Sequence, residues 1–168
     1  MINLETDRLF LRVIKKENAG FILKLLNCPN WIEYIGDRDV YTLKDAEAFI
    51  EERMLANEKR DGCSLLLVST KPNDEPIGLC GLLKRPFLDE PDLGFAILPS
   101  YARQGYTFEA SKSVLQYANT IKKIEHVYEF TSAHNIASQR LLNKLGMRLK
   151  EKKWIEDYEE ECWIYIQE

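Results

Sequence analysis

The residues from Asp92 to Thr131 constrain the fold more than any other stretch. Asp92-Leu93-Gly94-Phe95-Ala96-Ile97-Leu98 reads as a short strand stopped by Pro99. After the connection from Pro99 to Gly105 the hydrophobic period becomes helical, with Phe108, Val114, Leu115, Ala118 and Ile121 on one face. Glu125 to Thr131 then returns to a strand. Strand, helix and strand in this order predict a β-α-β crossover, which places a parallel pair in the sheet and a helix against its face. The same connection delivers backbone N–H groups to a helix N-terminus. Such amides lack intrahelical partners and the helix dipole favours negative charge beside them, so the geometry suits an anion. Gly105 allows a phosphate to approach closely, and Arg103 adds a formal positive charge. Taken alone, the same residues also describe an ordinary helix entry with solvated charge. Neither G-x-x-x-x-G-K-[ST] nor G-x-G-x-x-G occurs.

The other patterns complete the order of elements. Arg8 to Ile14 is a β-prone strand with Leu9, Leu11 and Val13 on one face, followed by a helix carrying Ala19, Ile22, Leu23 and Leu26 that stops at Cys28-Pro29. Trp31 to Tyr41 reads as an ordered loop with at most one helical turn. Thr42, with Asp45 three residues on, opens a helix striped by Ala46, Phe49, Ile50, Met54 and Leu55 and ended by Asp61-Gly62. Cys63 to Thr70 and Pro76 to Leu83 form a hairpin around Lys71 to Glu75, with Gly78 and Gly81 marking a bend or a close backbone approach. Asn135 caps a helix that ends at Gly146. Met147 to Ile155 then pairs across an acidic turn with a last strand that turns Cys162, Ile164 and Ile166 to one side. The prediction is one α/β domain over residues 1–168, a mixed central sheet of about seven strands with about four helices, ordered β-α-α-β-β-β-α-β-α-β-β.

Composition narrows the function classes. A chain of 168 residues with 45% hydrophobic and 30% charged residues supports one soluble core. Its net charge of −4 offers no global basicity, so no direct nucleic-acid partner is expected. The longest aliphatic run, Leu65 to Val68, falls far short of the roughly 20 residues that span a bilayer. Met1 to Glu5 has no basic or apolar leader pattern, so no membrane partner and a cytoplasmic location are expected. The four cysteines are widely spaced without a C-x-x-C pair, and only His126 and His134 stand beside them, so reduced thiols and no metal are expected.

Two longer blocks carry a family likeness. Leu93 to Ala110, with Gly94-Phe95, Pro99, Tyr101, Gly105-Tyr106 and Glu109-Ala110, resembles the acetyl-CoA-binding segment of GNAT-type N-acetyltransferases, and is most similar to the RimJ/RimL branch. Asn135-Ile136-Ala137-Ser138, continuing through Leu141-Leu142 to Lys144-Leu145-Gly146-Met147, resembles that family's second motif. Glu5-Thr6-Asp7-Arg8-Leu9 and the Ile35-to-Ile50 region match the same branch, so the likeness runs over roughly residues 3 to 166. The chain departs from the pattern at Ala102 and Arg103, the latter where a glycine is expected, and at Thr107.

The resemblance implies a co-substrate, acetyl-CoA, and a set of roles. The backbone of Phe95, Ala96 and Ile97 would pair with the pantetheine arm, and the amides of Arg103, Gln104, Gly105, Tyr106 and Thr107 would hold the pyrophosphate. Asn135 would bond the arm near the thioester, with the Ser138 hydroxyl beside the leaving thiolate. Read without the family, Asn135 is a helix cap and Ser138 a first-turn residue. Asp92 stands where the branch often has a glutamate and is the candidate base, directly or through water, or else an exposed strand-end carboxylate. Trp31, Glu33, Asp37 and Arg38 are the candidate acceptor-binding residues: the carboxylates for a cationic amine, Arg38 for one of them or for a substrate carboxylate. His126 and His134 are weaker candidate bases.

The implied reaction is direct attack of a primary amine, a protein N-terminal α-amine or a small-molecule amine, on the thioester. An α-amine with pKa near 8 deprotonates more readily than a lysine near 10.4. The partners expected are therefore acetyl-CoA and that amine, with the chain a monomer or a homodimer. The alternative is a non-catalytic module of the same fold that binds acyl-CoA or a protein partner. A serine hydrolase is disfavoured because G-x-S-x-G is missing.

Overall fold

The computed structural model describes residues 2–168. In chain order its elements are β1 (Asn3–Glu5), β2 (Leu9–Val13), α1 (Ala19–Leu26), α2 (Pro29–Tyr34) and α3 (Leu43–Phe49). A π-helical stretch, Ile50–Leu55, joins α3 to α4 (Ala56–Asp61), and β3 (Leu65–Thr70), β4 (Glu75–Leu83) and β5 (Asp92–Ile97) follow. The chain closes with α5 (Tyr106–Thr120), β6 (Val127–Ser132), α6 (Ile136–Lys144), β7 (Arg148–Ile155) and β8 (Glu160–Gln167).

Side-chain capping sets several of these boundaries. The Thr42 hydroxyl accepts from the Asp45 N–H while the Asp45 carboxylate accepts from the Thr42 N–H, the reciprocal pair that opens α3. Gly62, in the left-handed region, ends α4. Cys28-Pro29 does stop α1, but Pro29 also occupies the first turn of α2, where its missing N–H leaves no bond unmade.

One mixed sheet of eight strands runs in the order β1-β2-β3-β4-β5-β6-β8-β7. It exceeds the expected number of strands because β1 pairs back on β2, Asn3 opposite Arg12. The helical segments also outnumber the expectation, since α2 forms within the predicted loop and the long predicted helix is divided by its π-helical turns. The crossover is present: β5 and β6 are parallel, joined by α5, and every other pairing in the sheet is antiparallel. Gly81 lies so close to β3 that a Cβ there would stand 2.1 Å from the Ser64 carbonyl oxygen, which keeps the β3–β4 pair tight.

Two apolar layers cover the sheet. Leu93, Ala110, Val114, Leu142 and Tyr165 belong to the layer under α5 and α6. Ile22, Leu25, Trp31, Ile50 and Leu79 belong to the layer under α1, α2 and the α3 segment. β5 contributes to both, and it leads into the space where its neighbour departs.

Candidate active site

β5 and β6 touch through a single bridge, Asp92 opposite Tyr128, with the Tyr128 N–H donating to the Pro91 carbonyl at 2.9 Å. Beyond that bridge they diverge. On the other edge of β5, the Leu98 N–H donates to the Ile77 carbonyl within the register that sets Ala96 against Leu79. The alternation of an antiparallel ladder therefore commits the backbone of Gly94 and Ala96 to β4 and turns the backbone of Leu93, Phe95 and Ile97 toward the gap. This corrects one expectation: the Ala96 backbone is committed to β4 and does not face the gap.

The gap opens into a cavity of about 890 Å³. Its wall includes Phe95, Ala96 and Ile97 from β5, Asn135 and Ser138 from α6, and Trp31 from α2.

The loop before α5 forms one end of this cavity. The Ala102 N–H donates to Pro99, and the first i→i−4 bond of α5 runs from Glu109 to Gly105. Among the described residues, the intervening N–H groups of residues 103–108 have no acceptor. A run of unpaired amides at the positive end of a fifteen-residue helix is an anion cradle. Arg103, Gly105, Tyr106 and Thr107 line the cavity, whereas Gln104 does not, its side chain donating to the Ser100 carbonyl at 3.1 Å.

The N-terminal motif holds that loop in place. The Glu109 carboxylate accepts from the Thr6 hydroxyl at 2.6 Å, from the Arg8 N–H at 2.9 Å and from Arg8 Nε at 2.7 Å. Arg8 also donates through Nη1 to the Gln104 carbonyl and stacks over the Tyr106 ring. Burial alone would raise the Glu109 pKa, but these donors hold it below its ordinary value. Thr6 and Arg8 of the first motif and Glu109 of the second are thus parts of one network.

Arg103 adopts φ 62°, the left-handed region, at the position where the family pattern has glycine. An L-residue there is strained by roughly 1–2 kcal/mol. Arg103→Gly is accordingly expected to raise the stability of the unliganded chain by about 1 kcal/mol in a denaturant titration. An unchanged or lowered midpoint would show that the arginine side chain stabilises the loop by more than its backbone strains it.

At the bridge, Asp92 is 2% exposed. Burial pushes its pKa up to about 6, opposed by the Arg85 guanidinium, whose Nε lies 3.3 Å and 3.4 Å from the two carboxylate oxygens. A carboxylate so tuned is ionised at neutral pH yet basic enough to accept a proton. The reading of Asp92 as an exposed strand-end carboxylate is overturned by this burial.

Next to it is a group that sequence reasoning missed. Glu129 is also buried in the cavity wall, and among the described residues its Oε2 has no hydrogen-bond partner. Burial pushes its pKa well above its ordinary value, the Asp92 charge adds to the rise and Arg85 opposes it. An acidic residue between the apolar positions Val127, Tyr128 and Phe130 of a predicted strand was the available signal.

On α6, Asn135 caps the helix, its Oδ1 accepting from the Ser138 N–H at 3.1 Å, while its Nδ2 has no partner among the described residues. The Ser138 side chain is buried in the wall and its hydroxyl is likewise unpaired. The acceptor-binding candidates divide. Trp31 and Arg38 line the cavity; Glu33 and Asp37 do not. Asp37 instead accepts from the Tyr41 hydroxyl at 2.6 Å and from the Asp39 N–H. His126 and His134 are also outside the lining. The four thiols form no disulfide.

The acetyltransferase (GNAT) domain family matches residues 8–148, which include the loop, both carboxyl groups and α6. The chain belongs to the GNAT acetyltransferase family. Membership bears out the reading of the chain as an N-acetyltransferase enzyme. Among similar proteins, the N-acetyltransferase YjdG of Bacillus subtilis is 27% identical over 180 residues, covering 99% of each chain. An acetyltransferase from Agrobacterium tumefaciens shares the fold with a TM-score of 0.84 at 21% identity, over 100% of this GNAT chain and 95% of that one. The ribosomal L7/L12 α-N-protein acetyltransferase RimL, solved in complex with coenzyme A, does so with a TM-score of 0.83 at 13% identity, over 99% and 97% of the two chains.

Proposed function

We propose that this GNAT chain moves the acetyl group of acetyl-CoA to a primary amine by direct attack of the amine on the thioester. The observation that carries the reading is the run of unpaired amides at residues 103–108, opening into a cavity that ends at a buried carboxylate tuned to about 6. The pyrophosphate lies against those amides, with Arg103 adding charge and the Thr107 hydroxyl within the same loop. The pantetheine arm enters the gap beside β5, where the outward-facing backbone of Phe95 and Ile97 receives it as an added strand. Asn135 Nδ2 donates to an arm carbonyl.

The chemistry then follows from the residues left over. Asp92, directly or through a water, takes a proton from the acceptor ammonium, and the neutral nitrogen attacks the thioester carbonyl carbon. As the new C–N bond forms and the C–S bond breaks, the electron pair leaves on sulfur. The Ser138 hydroxyl donates a hydrogen bond to that thiolate, and the second proton, shed by the nitrogen as it becomes an amide, passes through water to the sulfur. Purified chain mixed with acetyl-CoA and a panel of primary amines should release free thiol only when an amine is present, with the N-acetyl product seen by mass spectrometry. Thiol release that is independent of amine would instead make the chain a thioesterase.

A further inference from the structure

The part of the cavity wall built by residues 25 to 57 is chemically one-sided. Seven acidic residues lie in that segment, and not one lines the cavity. What the segment does present is cationic or neutral, Arg38 and Arg53 beside Asn30, Tyr34, Asn57 and apolar side chains. The π-helical turns contribute to this, since they carry Arg53 and Met54 together into the wall.

Among the described residues the two guanidinium groups have no carboxylate to pair with. Of nine arginines, five pair with a carboxylate: Arg8, Arg12, Arg60, Arg85 and Arg148. Among the described residues the other four have no such partner, and three of those four, Arg38, Arg53 and Arg103, line the cavity. Arg103 belongs to the loop assigned to the pyrophosphate. Arg38 makes one long hydrogen bond, from Nη2 to the Ile35 carbonyl at 3.3 Å. Trp31 is 5% exposed, and its Nε1 is buried with no acceptor. That N–H is closed off from the cavity, so the two guanidinium groups are what the segment offers a ligand. The imbalance extends to the whole cavity, which is lined by five cationic and three acidic side chains although the chain carries a net charge of −4.

We infer that the acceptor is a small dipolar molecule, a primary amine bearing a carboxylate or phosphate, which turns its amine to Asp92 and its anionic group to Arg38 and Arg53. The inference rests on the acetyl-transfer reading and names its acceptor class. A guanidinium binds either anion through paired, charge-assisted hydrogen bonds, so the two share one recognition chemistry. A neutral alkylamine would leave both guanidinium groups without an anion.

The test is a length ladder: ω-amino carboxylates of two to six carbons, aminoalkyl phosphates of the same lengths, and the matching alkylamines. Each is assayed by thiol release for kcat/KM. The expected result is a preference of about tenfold or more for an anionic member over its alkylamine at the best length, the size of a charge-assisted contact. Comparison of the carboxylate and phosphate arms identifies which anion the wall takes. In Arg38→Gln and Arg53→Gln the ratio of anionic to neutral kcat/KM should fall several-fold, and in the double variant it should approach one. A ratio is insensitive to a loss of folded or active protein, so a merely structural role for the arginines leaves it unchanged. Equal or better use of the alkylamines at every length, or an undiminished ratio in the double variant, overturns the proposal.

A calorimetric titration of the CoA-loaded chain with the same ladder separates this failure from that of the transfer reading. Anion-dependent binding that the double variant loses, without turnover of any amine, sustains the anion site and defeats the transferase reading. Absence of both binding and turnover across the ladder defeats the two together.

Discussion

Replacement of Asp92 by Asn is expected to lower kcat/KM for amine acetylation by about 100-fold, because the amide matches the carboxylate in shape but cannot accept the proton. In the native chain the rate should rise with pH through about 6 as Asp92 ionises, and that limb should be missing from the residual activity of the variant. Stability should move the other way. A carboxyl whose folded pKa is raised from 3.8 to about 6 contributes its full stabilisation below the unfolded pKa and loses it as pH rises through the folded value. About two pKa units correspond to about 3 kcal/mol, so the native chain should lose roughly that much relative to Asp92→Asn between pH 4 and pH 8. Denaturant titrations at the two pH values read this directly. Undiminished activity in the variant, with an unshifted pH profile, would place the base elsewhere.

Replacement of Gly105 by Val should weaken acetyl-CoA binding by about tenfold or more. Gly105 has φ 82° and is the N-cap of α5, so any L-residue there is strained by roughly 1–2 kcal/mol. A Cβ would also meet Arg8 Nη2 at 3.3 Å, crowding the side chain that braces the loop through Gln104 and Glu109. The branched methyl groups would then occupy the approach to the unpaired amides. Calorimetry on a variant shown by circular dichroism to be folded would detect the change in Kd. An unchanged Kd would put the pyrophosphate away from this loop.

Much of the fold was legible because short-range signals decided it. Thr42 with Asp45, Gly62, Gly105, Asn135 and Gly146 each fix a helix end through local backbone chemistry, and the crossover from Asp92 to Thr131 follows from a change of period alone. Features that depend on distant partners were not legible in the same way. β1 exists because Asn3–Glu5 meets β2, and three residues carry no period of their own. Pro29 ends one helix and starts the next, and a sequence shows only the first effect.

The site divides along the same line. The phosphate loop was readable because its function resides in consecutive backbone amides. The carboxyl groups were not fully readable, since what matters is burial. Glu129 has its raised pKa because β6 is an interior strand, and Asp92 owes its own raised pKa to burial beside it. Glu33 and Asp37 looked suitable for a cationic acceptor by residue type, but Asp37 is taken up by the turn that holds Tyr41, and Glu33 is not among the residues that line the cavity. The arginines are what that segment brings to the cavity instead.

The most direct test of the account is a calorimetric titration of the purified chain with acetyl-CoA and, separately, with free CoA. The account predicts saturable binding of both at one site per chain, weakened by Gly105→Val. No heat of binding for either ligand at millimolar concentration would contradict it, because a cavity that does not hold the thioester cannot present it to an amine.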